Sequence, residues 1–396
     1  MKYDFQTVTN RRHTGSMKWD QMLFDNPKLG EDIVPLSVAD MEFVNPPEVK
    51  RGLKDYIDHM ILGYTGPTDS YYDAVIHWMD RRHNYKIEKE WILQTPGVVN
   101  AFFNAVRQFT EEGDGVIVMG PVYYPFYLSA ERNNRRIVNC PLIETEGYYR
   151  MDYEKIEEAA SKEENKILLF CSPHNPVGRV WKKEELEKLA EIILNNDLIV
   201  VSDEIHNDLI MPGYEHTVLQ NIDPRIQDRI ITCTAPSKTF NLAGLGISNI
   251  VIPDKDLREK FAEGLLSQGI FNTMMGYKAC EVVYNECEEW LDQCIEAVDK
   301  NQRLVKEFFE ENFPEIKAPL IEGTYLQWVD FRSLGLSKEE LEVFMKEEAQ
   351  LYLDEGYIFG EEGIGFERIN LACPTKVIED ALERLRKALE KKCNPS

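Results

Sequence analysis

The chain has 396 residues, of which 43% are hydrophobic and 29% charged, an ordinary globular balance that excludes disorder, collagen-like repeats and disulfide scaffolds. At about 150 residues per domain, this length predicts two to three folding units with a large buried core. Forty-five basic residues against 69 acidic ones leave a net charge of −24, which repels phosphate backbones and anionic lipid. The basic runs, Arg11-Arg12, Arg81-Arg82-His83 and Lys391-Lys392, are too short and scattered to reverse that, so neither nucleic acid nor membrane is an expected partner. The first twenty residues lack the apolar stretch of a secretory leader, and no apolar run approaches bilayer length. With eight cysteines and no CxxC pair, the expectation is a cytoplasmic protein with reduced thiols and no metal site.

Pro96–Thr110 places Val98, Ala101, Phe102, Ala105, Val106 and Phe109 on one face, predicting a helix. Val116–Met119, Lys166–Cys171, Leu198–Ser202, Ile230–Cys233 and Ile247–Ile252 are Val/Ile-rich runs without alternation, as strands buried on both faces are. Lys183–Asn195 opens with two glutamates and repeats Leu186, Leu189, Ala190 and Ile193, a second helix. Strand and helix alternating in this way predict an α/β fold: a large domain with a mostly parallel sheet flanked by helices. Beyond it, Met275–Asn312 reads as one long helix, with Cys280, Cys287 and Cys294 along one stripe as buried small apolar residues. Tyr325–Phe331 reads as a strand, Lys338–Glu348 as a helix, Arg368–Ala372 as a strand and Val377–Lys392 as a closing helix. The expected division is a large domain over 50–285 and a smaller α+β domain over 286–396, completed by residues 1–49.

The sequence contains no GxGxxG, GxxxxGK[ST], HExxH or GxSxG motif, so nucleotide cradles, zincin sites and nucleophile elbows lack support. Parallel sheets bind ligands at the C-terminal ends of their strands. Three neighbouring strand candidates are followed by Ser172-Pro173-His174-Asn175, by Asp203-Glu204-Ile205-His206 and by Ala235-Pro236-Ser237-Lys238. An amide, a carboxylate and a lysine therefore converge on one rim.

These segments, together with SVADMEF (37–43), GYTGP (63–67), TPGVV (95–99), PVYYPF (121–126), SPHNPVGRVW (172–181), APSKTFNLAGL (235–245) and RINLACP (368–374), resemble the fold-type I pyridoxal-phosphate enzymes of the class I/II aminotransferase superfamily. Within that superfamily the chain is most similar to the MalY/PatB-like cystathionine β-lyases. The resemblance implies pyridoxal 5'-phosphate as cofactor and Lys238 as the residue that binds its aldehyde covalently and moves the substrate Cα proton. It implies Asp203 against the pyridine nitrogen, Asn175 and His206 near the ring oxygen, and Tyr123 on the ring face. The phosphate falls to the amides around Gly97, Val98 and Val99, to Ser237, and to Tyr64 from the other subunit of a homodimer. Arg368 is expected to hold the substrate α-carboxylate, with Ala39 and Asn175 beside it. Two positions depart from many relatives in the wider superfamily, which have tyrosine where His206 stands and a phosphate-binding arginine in the place of Gly246.

The activity implied is carbon–sulfur β-elimination from L-cystathionine or related cysteine S-conjugates. An aminotransferase reaction on the same fold and cofactor, and a MalY-like regulatory role through a protein partner, are the alternatives.

Overall fold

The computed structural model describes residues 2–393. Three helices come first, α1 (Met17–Asp25), α2 (Pro47–His59) and α3 (Asp69–His83). Strand and helix then alternate: β1 (Ile92–Thr95), α4 (Val98–Phe109), β2 (Gly115–Val118), α5 (Pro125–Glu131), β3 (Arg136–Asn139), the hairpin β4 (Ile143–Thr145) and β5 (Tyr148–Arg150), and α6 (Tyr153–Ala160). There follow β6 (Asn165–Cys171), α7 (Lys183–Asn196), β7 (Ile199–Asp203), β8 (Ile230–Thr234), the short α8 (Pro236–Thr239), β9 (Ser248–Val251) and α9 (Lys255–Ser267). The last third holds α10 (Met274–Glu286), α11 (Glu288–Asn312), β10 (Leu326–Asp330), α12 (Lys338–Val343), β11 (Asp354–Glu355), β12 (Phe366–Asn370) and α13 (Thr375–Cys393).

Seven strands form one sheet in the order β1-β9-β8-β7-β6-β2-β3, parallel except for β9, which runs against both neighbours. Successive side chains enter opposite layers, as the pleat demands. Val116, Ile167, Leu169, Val201 and Ile231 pack with Ala101 and Phe102 of α4 and Phe261 of α9. Ile117, Leu168, Phe170, Val200 and Ile230 pack with Ile156 of α6 and Leu186 and Leu189 of α7. Each such side chain, fully removed from water, contributes about 1.5–3 kcal/mol. This double burial is why the central strands read as continuous apolar runs.

A third apolar core joins α3, α10, α11 and α13 to the antiparallel sheet β10-β12-β11 and to the chain before α2. Residues 36–42 run along that sheet. Leu36 N–H donates to Tyr352 O at 2.8 Å, Asn370 N–H to Leu36 O at 2.9 Å, and Glu42 N–H to Ala372 O at 2.8 Å.

The single helix expected over Met275–Asn312 is two, broken at Cys287, whose φ of −114° and ψ of 15° leave the helical region. No glycine or proline marks the break. Cys280, Cys287 and Cys294 are all buried, so the apolar face runs through it undisturbed, and periodicity alone could not reveal it. Strands β1 and β3 were not legible because they are four-residue edge strands with half-exposed faces. The helix predicted over 338–348 is α-helical only to Val343 and then widens to a π turn over Phe344–Glu348.

Candidate active site

A cavity of about 180 Å³ opens at the C-terminal ends of β6, β7 and β8. Its walls carry Ala39, Gly97, Val98, Val99, Tyr123, Asn175, Asp203, His206, Ser237 and Lys238. Ten predicted site residues, drawn from six separate stretches of sequence, thus meet in one space. Arg368 reaches the cavity through Asn175. Tyr64 does not: it is fully exposed on the loop between α2 and α3, away from this chain's own cavity.

Asp203 is the last residue of β7 and is buried, while its neighbour Glu204 turns the other way. Glu204 accepts from Ser202 Oγ at 2.8 Å and from Leu219 N–H at 3.1 Å, and lies 2.7 Å from His216 Nε2. Only the Asp203 carboxylate therefore faces the cavity. Burial pushes its pKa up to about 7, against the pull of the Ile205 N–H and of Lys238. A buried carboxyl in this state is short of a cation.

Lys238 sits on α8, whose start is fixed by Pro236 at its first position. Its Nζ donates to Ala39 O at 2.8 Å. Burial, reinforced by the charge of Arg368, pushes the amine down to about 8. Thr239 anchors the other side of α8 by donating to Asp208 Oδ2 at 2.7 Å, and Asp208 is itself held by Trp78 Nε1 at 3.1 Å and His83 Nε2 at 2.7 Å. The acceptor Ala39 follows Val38, a β-branched residue at φ 57°, a conformation that costs on the order of 1–3 kcal/mol and persists only where the surroundings impose it. Asp354 Oδ2 accepts from Val38 N–H at 2.9 Å, and Asn370 Nδ2 donates to Val38 O at 2.7 Å and Asp40 O at 2.9 Å.

Asn175 lies in the loop after β6. Gly178 makes that loop's turn at φ 72°, where a Cβ would come within 2.5 Å of Ile321. Arg368, on β12, donates from Nη1 to Asn175 Oδ1 at 2.8 Å, from Nε to Asp354 Oδ2 at 3.2 Å, and from Nη2 to the same carboxylate. Its guanidinium lies 4.6 Å from the Phe359 ring centre. With Oδ1 occupied, the Nδ2 group of Asn175 is its remaining donor, and the guanidinium keeps two of its five N–H bonds for another acceptor.

Val98 and Val99 open α4, so their N–H groups have no intrahelical acceptor and mark an anion site. Gly246 packs against this turn at φ 55°, where a Cβ would meet Pro96 O at 3.2 Å. His206 is buried, burial drives its imidazole well below its usual pKa, and its Nδ1 has no hydrogen-bond partner among the described residues. The Tyr123 hydroxyl is pushed up by burial and stays protonated.

The sequence reading missed Asp354, which orients Arg368, and Asp208, which anchors α8. Asp354 lies on a two-residue strand with no motif around it. Asp208 lies two residues beyond the Asp203-Glu204-Ile205-His206 segment, where its spacing from Asp203 was a usable signal.

The chain matches the model of the family described as "Aminotransferase class I and II" over residues 31–385. It is 40% identical to "Cystathionine beta-lyase PatB" of Bacillus subtilis, over 98% of this chain and 100% of that one. The crystal structure of cystalysin from Treponema denticola, which contains a pyridoxal 5'-phosphate cofactor, superposes with a TM-score of 0.97 at 58% identity, covering 99% and 100% of the two chains. That of the PLP-bound C-S lyase from Staphylococcus hominis gives 0.91 at 29% identity, covering 98% of each. By this match, which spans most of its length, the chain belongs to the aminotransferase class I and II family.

Proposed function

We propose that this protein is a pyridoxal-phosphate-dependent carbon–sulfur β-lyase that converts L-cystathionine or related cysteine S-conjugates to a thiol, pyruvate and ammonia. The observation that carries it is the convergence of Lys238, Asp203, Asn175 and His206 in one buried cavity closed at one end by the first turn of α4. The residues fit the cofactor: the α4 amides and Ser237 suit its phosphate, the buried Asp203 carboxyl suits a pyridinium N–H, and the unpartnered Nδ1 of His206 and the free Nδ2 of Asn175 are polar groups ready for its ring oxygen.

When bound, pyridoxal phosphate supplies an electron sink for the pair left at the substrate Cα. Arg368, rigidly set by Asp354 and Phe359, takes the substrate α-carboxylate with its remaining N–H bonds. Lys238, its amine poised near neutrality by burial, takes the proton from Cα. The Cβ–S bond then breaks with its electron pair going to sulfur, and a proton completes the thiol. The three-carbon enamine released takes up water to give pyruvate and ammonia.

Tyr64 supports a homodimer. It stands fully exposed beside the exposed Ile61 and Leu62 on the loop between α2 and α3, and the partner subunit's Tyr64 would complete the phosphate site. No helix among the described residues is long and apolar enough to cross a membrane. A cytoplasmic location is our reading, supported by seven buried, unpaired cysteines among the described residues. The test is thiol release from L-cystathionine by the cofactor-loaded protein beside its Lys238→Ala variant. Release by the first alone is expected, and equal release by both would overturn the role of Lys238.

A further inference from the structure

A second and larger cavity, about 670 Å³, meets the first at Lys238, Ala39 and Ala243 and opens outward along the N-terminal segment. Its walls are charged. Arg11 donates from Nη2 to Asp40 Oδ2 at 2.9 Å and from Nη1 to Glu42 Oε1 at 3.0 Å, and Lys18 Nζ lies 2.8 Å from Glu42 Oε1. Lys50 stands exposed on the rim. Besides Lys238, three basic side chains and two carboxylates thus line this chamber, within a chain whose net charge is −24. Arg11 and Asp40 each keep 26% of their side-chain surface, whereas Glu42 and Lys18 are closed off. Two buried polar atoms on the wall, Ser16 Oγ and Glu42 Oε2, have no hydrogen-bond partner among the described residues.

A chamber that only let products out would need none of this. Simple alkyl groups on sulfur would bury nothing against Arg11, Asp40 and Lys50. A leaving group ending in a second amino-acid head carries both an ammonium and a carboxylate, and both signs are present here at the surface of the chamber.

We propose that this outer chamber is a specificity site for the far end of the sulfur substituent: Asp40 takes a distal ammonium, and Arg11 and Lys50 take a distal carboxylate. The enzyme would thereby favour thioether amino acids with a zwitterionic leaving group over S-alkyl cysteines. The inference rests on the lyase reading above.

The experiment compares kcat/KM for L-cystathionine and S-ethyl-L-cysteine in the loaded enzyme and in its Lys50→Ala, Lys50→Arg and Asp40→Asn variants. Lys50 is exposed and makes no hydrogen bond or ion pair among the described residues, so its alanine variant tests recognition and not folding. The cystathionine-to-ethylcysteine ratio is expected to fall about fivefold in Lys50→Ala and in Asp40→Asn, and to recover in Lys50→Arg. It is also expected to shrink as ionic strength rises, because partly exposed charges are screened. A ratio unmoved by both Lys50→Ala and Asp40→Asn overturns this inference alone. Thiol release from neither substrate by the unaltered enzyme overturns the lyase reading and this inference with it.

Discussion

Arg368 on β12 donates to Asn175 Oδ1 in the loop after β6 at 2.8 Å, a bond between residues 193 positions apart. It ties the proposed carboxylate-binding group to an amide that lines the candidate active-site cavity, so substrate capture and cavity geometry share one contact. Replacing Arg368 by Lys removes the fork while keeping the charge. KM for L-cystathionine is expected to rise at least about tenfold, from loss of charge-assisted hydrogen bonds, with cofactor still bound. Steady-state kinetics beside the cofactor's absorbance check this. An unchanged KM would remove Arg368 from substrate binding.

Asp203 has a price in the cofactor-free protein that a stability measurement can read. Its folded pKa, about 7, lies above the ordinary value of 3.8, so the folded chain holds the proton more tightly than the unfolded one. That contribution is fully present below about pH 3.8 and is lost as pH rises through about 7. Asp203→Asn should therefore stabilise the cofactor-free protein more at pH 8 than at pH 5.5, by about 2 kcal/mol of difference. Denaturant titrations at the two pH values test it. In the loaded enzyme the same change should abolish turnover.

Lys238 should show its lowered pKa in the capture of cofactor. The amine is nucleophilic only when neutral, and its pKa of about 8 places that change within the working range. The rate at which cofactor-free protein takes up pyridoxal phosphate is expected to rise with pH and level off above about 8. A rise that continues to pH 10 would mean an ordinary, unshifted lysine.

Tyr64 and Lys238 lie on different subunits of each active site if the dimer is as proposed. Tyr64→Ala and Lys238→Ala proteins should each be impaired alone. Mixed after dissociation, they should recover about a quarter of the intact sites, because half the dimers are hybrid and each hybrid has one undamaged site. No recovery on mixing would place Tyr64 outside the neighbour's site.

The central sheet and most of the site were legible in the sequence for one physical reason. Strands buried on both faces write themselves as Val/Ile runs, and the residues that follow such runs must face the ligand. Asp203 ends one such run, and Lys238 follows another within a few residues. The edge strands β1 and β3 left no such run, and the break at Cys287 kept its apolar stripe intact. Asp354 was hidden because its partner, Arg368, is 14 residues away across a two-residue strand pairing that no local pattern encodes. The outer chamber was equally invisible: Arg11, Asp40 and Lys50 are unremarkable charges until the N-terminal segment is laid beside Lys238.

The most direct measurement is pyruvate formation from L-cystathionine by the purified, cofactor-loaded protein, with and without an added 2-oxo acid. Elimination needs no second substrate, so pyruvate and free thiol are expected at the same rate in both reactions. Product that forms only when the 2-oxo acid is present would contradict the account and make the protein an aminotransferase.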